Sequence, residues 1–150
     1  LKGTSYAIAA GLASGIAVSF TPFFGFHLIL GLAVTYLIRG NLLATALGTL
    51  VGNPWTFPIM WNLSNLTGKW VFSTLNFHPS PMAEGASLWL METGFGGFLL
   101  AVTVWPFAFA LTYYVIFKAK RARRLKRLKI WEERAGVAPP YPSHETEDRK

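Results

Sequence analysis

One histidine, one arginine and an Asn-Pro pair carry the chemical reach of the first half of this sequence. His27 is the single ionisable group with a titrating role to offer between Tyr6 and Ile38, and it stands two residues after the break signal Thr21-Pro22-Phe23-Phe24-Gly25. Asn53-Pro54-Trp55-Thr56-Phe57-Pro58 places an amide and two prolines inside a second apolar run, and Arg39 lies between the runs. A proline inside a helix removes a donor and clashes with the preceding turn, so each run is expected to break and restart. A restarted half-helix presents free N–H groups with partial positive charge. Two such ends meeting inside a bilayer would hold a phosphate or a carboxylate. The candidate ligand set is therefore Pro22, Gly25, His27, Arg39, Asn53, Pro54, Thr56 and Pro58. Asn53 would bond backbone groups orphaned by the prolines or cap the following turn, Thr56 would do so more weakly, and Arg39 would reach inward from the rim. The plainer reading is that the breaks serve packing alone, with His27 tied to a carbonyl freed by Pro22.

Other chemistries find no footing. There is no cysteine, which removes disulfides, thiolate nucleophiles and cysteine metal sites. No paired carboxylates, HExxH, GxSxG or glycine-rich phosphate loop occurs, so no catalytic residue, metal or cofactor is assigned. A lone histidine among aromatics does not make a pigment site. Glu84 and Glu92 read as interfacial rather than buried, and His78 as a loop residue.

The elements that must position these residues follow from the distribution of charge. Of the residues, 52% are hydrophobic and 14% charged, and the mean hydropathy is +0.36. The net charge of +7 is uneven: up to Phe117 the charged side chains are Lys2, Arg39, Lys69, Glu84 and Glu92, and the rest follow. The pattern is an apolar body with a basic tail, the composition of a membrane protein. No signal peptide is read, because the first apolar run is too long and continues into more of the same. That run, 6–38, would be roughly 50 Å long as one helix, against a hydrocarbon core of about 30 Å. Two legs joined at Pro22–Gly25 fit better, with Gly11, Ala13, Gly15 and Ala17 on one and Gly31 and Ala33 on the other allowing close approach.

The expected fold is an all-α integral membrane protein, with broken or re-entrant helical hairpins and one long C-terminal transmembrane helix extending into the cytoplasm. Residues 1–117 form the membrane domain: a broken hairpin at 6–38, a broken second segment at 42–68, a Trp-rich interfacial stretch at 70–92 and a transmembrane helix at 93–117. Residues 118–135 form a basic helix, and 136–150 a disordered tail. Dense Lys and Arg directly after the span place that end in the cytoplasm. Lys118, Lys120, Arg121, Arg123 and Arg124 would contact anionic lipid head groups. Leu125, Leu128 and Trp131 form an apolar stripe beside them, and no motif points to nucleic acid.

The run from GLASGIAVSFTPFFGFHL through the Arg39-Gly40-Asn41 turn to GNPWTFP and Gly68 resembles the small bacterial inner-membrane family catalogued as domain of unknown function 2062. The likeness spans Tyr6 to Phe117 and leaves the basic tail outside. It implies a bacterial integral membrane protein and assigns no activity. The residues themselves lead to a protein that binds and moves an anionic lipid or lipid-linked phosphate, with membrane lipids as partners and a homo-oligomer as the way to enlarge the cavity. The alternative is an accessory subunit packed against a larger energy-transducing or photosynthetic membrane complex.

Overall fold

The computed structural model describes residues 3–23, 25–77 and 85–136, with positions 132–135 described by their backbone alone. His78, Glu84 and the tail after Gly136 lie outside the described residues. Five helices and no strand occur among those described: α1 (Ser5–Val18), α2 (Phe26–Leu37), α3 (Leu42–Thr49), α4 (Phe57–Thr74) and α5 (Ala86–Ala135). The chain divides into two compact units, Leu1–Tyr114 and Val115–Lys150. α5 is long and apolar enough to cross a membrane by length and composition.

Local chemistry sets the boundaries. Thr4 caps α1, its hydroxyl accepting from the Ala7 amide at 3.1 Å. α1 stops where Pro22 makes a further turn impossible. Gly25 restarts the chain as the cap of α2 with φ of 82°, a conformation that favours glycine. At the far end of α2, Arg39 takes a left-handed φ of 55°. That lets the Gly40 amide fold back to the Thr35 carbonyl at 2.8 Å, and Tyr6 donates its hydroxyl to the Ile38 carbonyl. The Asn41 side chain then caps α3 through the Ala44 amide at 2.9 Å, while its own amide bonds the Ala7 carbonyl at 2.7 Å.

Two stretches run differently from the sequence-based expectation. Thr67-Gly68-Lys69 does not end a helix, and 70–92 is divided between two helices. Trp70–Thr74 is the last part of α4, and Ala86–Glu92 is the start of α5. Gly68 is spent on contact instead of termination: a methyl there would overlap the backbone of Glu92. Pro106 lies inside α5 without ending it.

Helix packing is by backbone, not bulk. Gly11 lies on the Asn41 carbonyl, Gly15 on the Thr45 carbonyl and Gly48 on the Leu12 carbonyl, so α1 and α3 touch main chain to main chain. α4 and α5 cross in the same way, Gly96 against Ser64 and Gly68 against Glu92. The Trp105 indole donates to Ser14 of α1 at 3.1 Å. The fully buried larger side chains are Ser14, Ser19, Thr35, Thr45, Ser64 and Thr93, among Ala9, Ala10 and Ala13. Thr45 donates to Thr35 at 2.7 Å. Most bulky apolar side chains face outward, with Leu37 79% and Trp55 88% exposed, while Ile8, Val18, Phe57 and Met60 are buried.

Candidate functional site

The two breaks meet. Gly52, just before the second break, lies against Ser19 of the first, and a methyl on Gly52 would come within 3.0 Å of the Phe57 ring. The Phe57 ring stacks on Trp61 at 5.2 Å and meets His27 edge-on at 5.4 Å. Ser19, His27, Gly52, Phe57 and Trp61 thus form one junction from α2, α4 and both loops.

Each break disposes of its own backbone groups. At the first, Thr21 donates to the Val18 carbonyl at 2.6 Å and Ser19 to the Gly15 carbonyl at 2.9 Å. The carbonyls of Phe20 and Thr21 accept from α4: Ser64 reaches Phe20 at 2.9 Å and the Trp61 indole reaches Thr21 at 3.3 Å. At the second, the Asn53 carboxamide oxygen accepts from the Trp55 and Thr56 amides at 2.9 and 3.1 Å. Its main-chain carbonyl takes the Phe57 amide at 2.9 Å. Thr56 accepts from the Asn53 amide at 3.0 Å and donates to the Val51 carbonyl. Asn53 and Thr56 therefore close the turn that Pro54 opens, the turn role their types offer, and Thr56 stands at the cap position of α4 without a side-chain cap bond.

This has a consequence for anion binding. In the first turn of α4 the Phe57 amide is held by the Asn53 carbonyl and the Met60 amide by the Thr56 carbonyl, and Pro58 has no N–H to offer, so α4 does not present a bare N-terminus. In α2 the His27 amide is taken by the Phe23 carbonyl at 2.9 Å, while Gly25 and Phe26 are exposed. Of the eight candidate ligand positions, Pro22, Gly25 and His27 gather at the first break, and Asn53, Pro54, Thr56 and Pro58 at the second. Arg39 does not join them. It stands beyond the opposite end of α2, roughly 18 Å along the axis from His27 at 1.5 Å per residue, because the whole of α2 intervenes.

His27 is the unsettled member. Its Nδ1 is buried and has no hydrogen-bond partner. The carbonyls that Pro22 frees are already held by Ser64 and Trp61, so the expected histidine–carbonyl tie is not made. A buried polar atom without a partner costs about 1–3 kcal/mol, and such atoms are rare in native proteins.

Sequence reading missed a second polar cluster. The Glu92 side chain is only 12% exposed and is engaged by α4. The Asn65 amide nitrogen donates to Glu92 Oε2 at 3.1 Å and to Thr93 Oγ1 at 3.2 Å. Lys69 Nζ stands 3.9 Å from the same carboxylate oxygen. The signal was the one-turn spacing of Asn65 and Lys69, which puts both on one helix face. The partly exposed lysine makes the ion pair itself weak, and the buried amide contact fastens the α4–α5 crossing.

In the second unit, Lys120, Arg123, Arg124 and Arg127 line an open groove of about 250 Å³. Three of the expected head-group residues are in it; Lys118 and Arg121 do not line it.

A family model described as "Uncharacterized protein conserved in bacteria (DUF2062)" matches residues 1–126, and the chain belongs to that family. The match takes in the first part of the basic stretch, which the resemblance had left outside. No curated protein and no solved structure matches the chain.

Proposed function

We propose that this member of the bacterial DUF2062 family is an integral inner-membrane protein that binds the phosphate of an anionic lipid where its two broken helices meet. The membrane reading is supported by the inverted distribution of side chains. Alanine, glycine, serine and threonine make up most of the interior, with Ile8, Val18, Phe57 and Met60 among them, and most leucine, phenylalanine and tryptophan side chains lie outside. Small residues between helices and apolar ones outward is the arrangement for which lipid is the solvent, and an apolar surface of this extent is foreign to a soluble monomer. α1 and α2 are 14 and 12 residues long, roughly 21 and 18 Å. Each is shorter than the hydrocarbon core of about 30 Å, so the pair enters and leaves by one face as a re-entrant hairpin. α5 crosses, and the Lys/Arg run that follows puts its end in the cytoplasm.

One observation carries the ligand: the buried, unpartnered Nδ1 of His27 at the junction of the breaks. A phosphate oxygen would complete it once the side chains that cover this nitrogen move aside, with the N-terminal end of α2 adding favourable dipole. Exposed Phe23 and Phe26 would flank the acyl chains. Movement of the lipid between leaflets is the further step of this reading.

The test uses the full chain in nanodiscs of phosphatidylglycerol and phosphatidylcholine, with retained lipid read by native mass spectrometry and flipping read in liposomes. His27→Phe keeps an aromatic side chain and removes both nitrogens; it is expected to abolish preferential phosphatidylglycerol retention with the fold intact. Equal retention by wild type and His27→Phe would sink the site. Near-stoichiometric co-purification with a larger membrane complex through mild detergent would replace it with the accessory-subunit reading.

A further inference from the structure

We propose that two copies of this chain pair in the membrane through the outer face of α4, with Asn62 of each copy bonding Asn62 of the other. The inference rests on the membrane reading above. Ile59, Asn62, Leu63 and Leu66 are spaced to share one helix face, and all four are exposed. Three are bulky and apolar, as lipid requires. The fourth is a carboxamide at their centre, and it has no hydrogen-bond partner among the described residues. Pro58, Ile59, Asn62 and Leu63 together line a shallow groove of about 330 Å³.

In water an exposed asparagine is ordinary. In hydrocarbon nothing bonds it, and a bare amide there is costly. A carboxamide carries two donors and one acceptor oxygen, so it is complementary to itself. A second α4, related by a two-fold axis passing beside Asn62, supplies the matching oxygen and N–H at once. That is an isologous contact, the ordinary form of a dimer interface. Each groove beside Asn62 then receives an aliphatic side chain, Ile59 or Leu63, of the other copy. Asparagine acts in this way between helices in lipid generally. The other neighbouring polar groups cannot serve: Asn65 is buried and spent on Glu92 and Thr93, and Lys69 belongs to the Glu92 pair.

The chain has no cysteine, so single introduced thiols report without background. Full-length Ile59→Cys, Leu63→Cys and, as a control on another exposed face, Leu43→Cys are oxidised in native membranes with copper phenanthroline and resolved without reductant. Dimer is expected from the first two and not from the third. Adding Asn62→Leu to the Ile59→Cys chain is expected to weaken association roughly three- to thirtyfold, the worth of an interhelical amide bond in lipid. Asn62→Gln restores it. Unchanged cross-linking in the Asn62→Leu chain, equal dimer from Leu43→Cys, or a cross-link to a different protein each overturns the proposal. Alkaline carbonate extraction of the same membranes separates the causes. If the chain is released, the membrane reading has failed and the interface with it; if it stays in the pellet without dimer, the interface alone has failed.

Discussion

The hydroxyl of Ser64 donates to the carbonyl of Phe20, 44 positions earlier in the chain, at 2.9 Å. The contact joins the helix that follows one break to the carbonyl exposed by the other. With the Trp61 indole on Thr21, it explains how an opened backbone persists in an apolar setting. Ser64→Ala is expected to destabilise by about 1–3 kcal/mol, read as thermal unfolding of the detergent-solubilised protein. Because Trp61 and Ser64 serve adjacent carbonyls, Trp61→Phe combined with Ser64→Ala should depart from additivity; strict additivity would show that the two bonds act independently.

The α4–α5 crossing gives a test with an internal control. A methyl at Gly68 or Gly96 would overlap the backbone of the opposite helix, whereas a methyl at Gly94 would meet nothing within 4 Å. Gly68→Ala and Gly96→Ala are expected to cost at least about 2 kcal/mol through forced separation. Gly94→Ala is expected to gain about 0.5–1 kcal/mol from helix propensity. Three equal melting temperatures would refute the close crossing.

Asn53→Ala removes the acceptor for the Trp55 and Thr56 amides and is expected to cost about 1 kcal/mol, as a lost cap does. Asn53→Asp keeps an acceptor oxygen in place and should retain most of the stability. The pair of melts tests the acceptor role, because the carboxylate oxygen can take the same two amides and the alanine cannot.

Arg39 sits at a φ of 55°, where a side chain is strained and glycine is not. Arg39→Gly should raise stability by about 1 kcal/mol, measured by the same melts. A loss of stability would mean that the guanidinium makes an interaction worth more than the backbone strain.

What could be read from the residues alone was local. Pro22 and Pro54 announce their breaks because a missing donor and a steric clash need no tertiary context, and Asn53 announces its cap for the same reason. The misplacement of Arg39 came from treating the hairpin as a flat pattern: the length of α2 carries it to the far end from His27. The role of Gly68 was hidden because a glycine followed by lysine reads equally as a helix stop or as a close contact, and the opposite surface, Glu92, lies 24 residues on. Asn65 finds Glu92 across a comparable stretch. Nothing in the spacing of either segment predicts that meeting.

An interior assembled from the smallest side chains inverts the usual map of tolerance to change. In a water-soluble domain the outside accepts almost anything and the inside little, because bulky groups interlock there. With lipid as the surroundings, as proposed above, the outward leucines and phenylalanines need only remain oily, so a library that shuffles them among one another should keep the same architecture. Single added carbons at Gly11, Gly15 or Gly48, each pressed on a facing main chain, should not be accepted. The identity of this fold is held by a few positions where almost nothing protrudes.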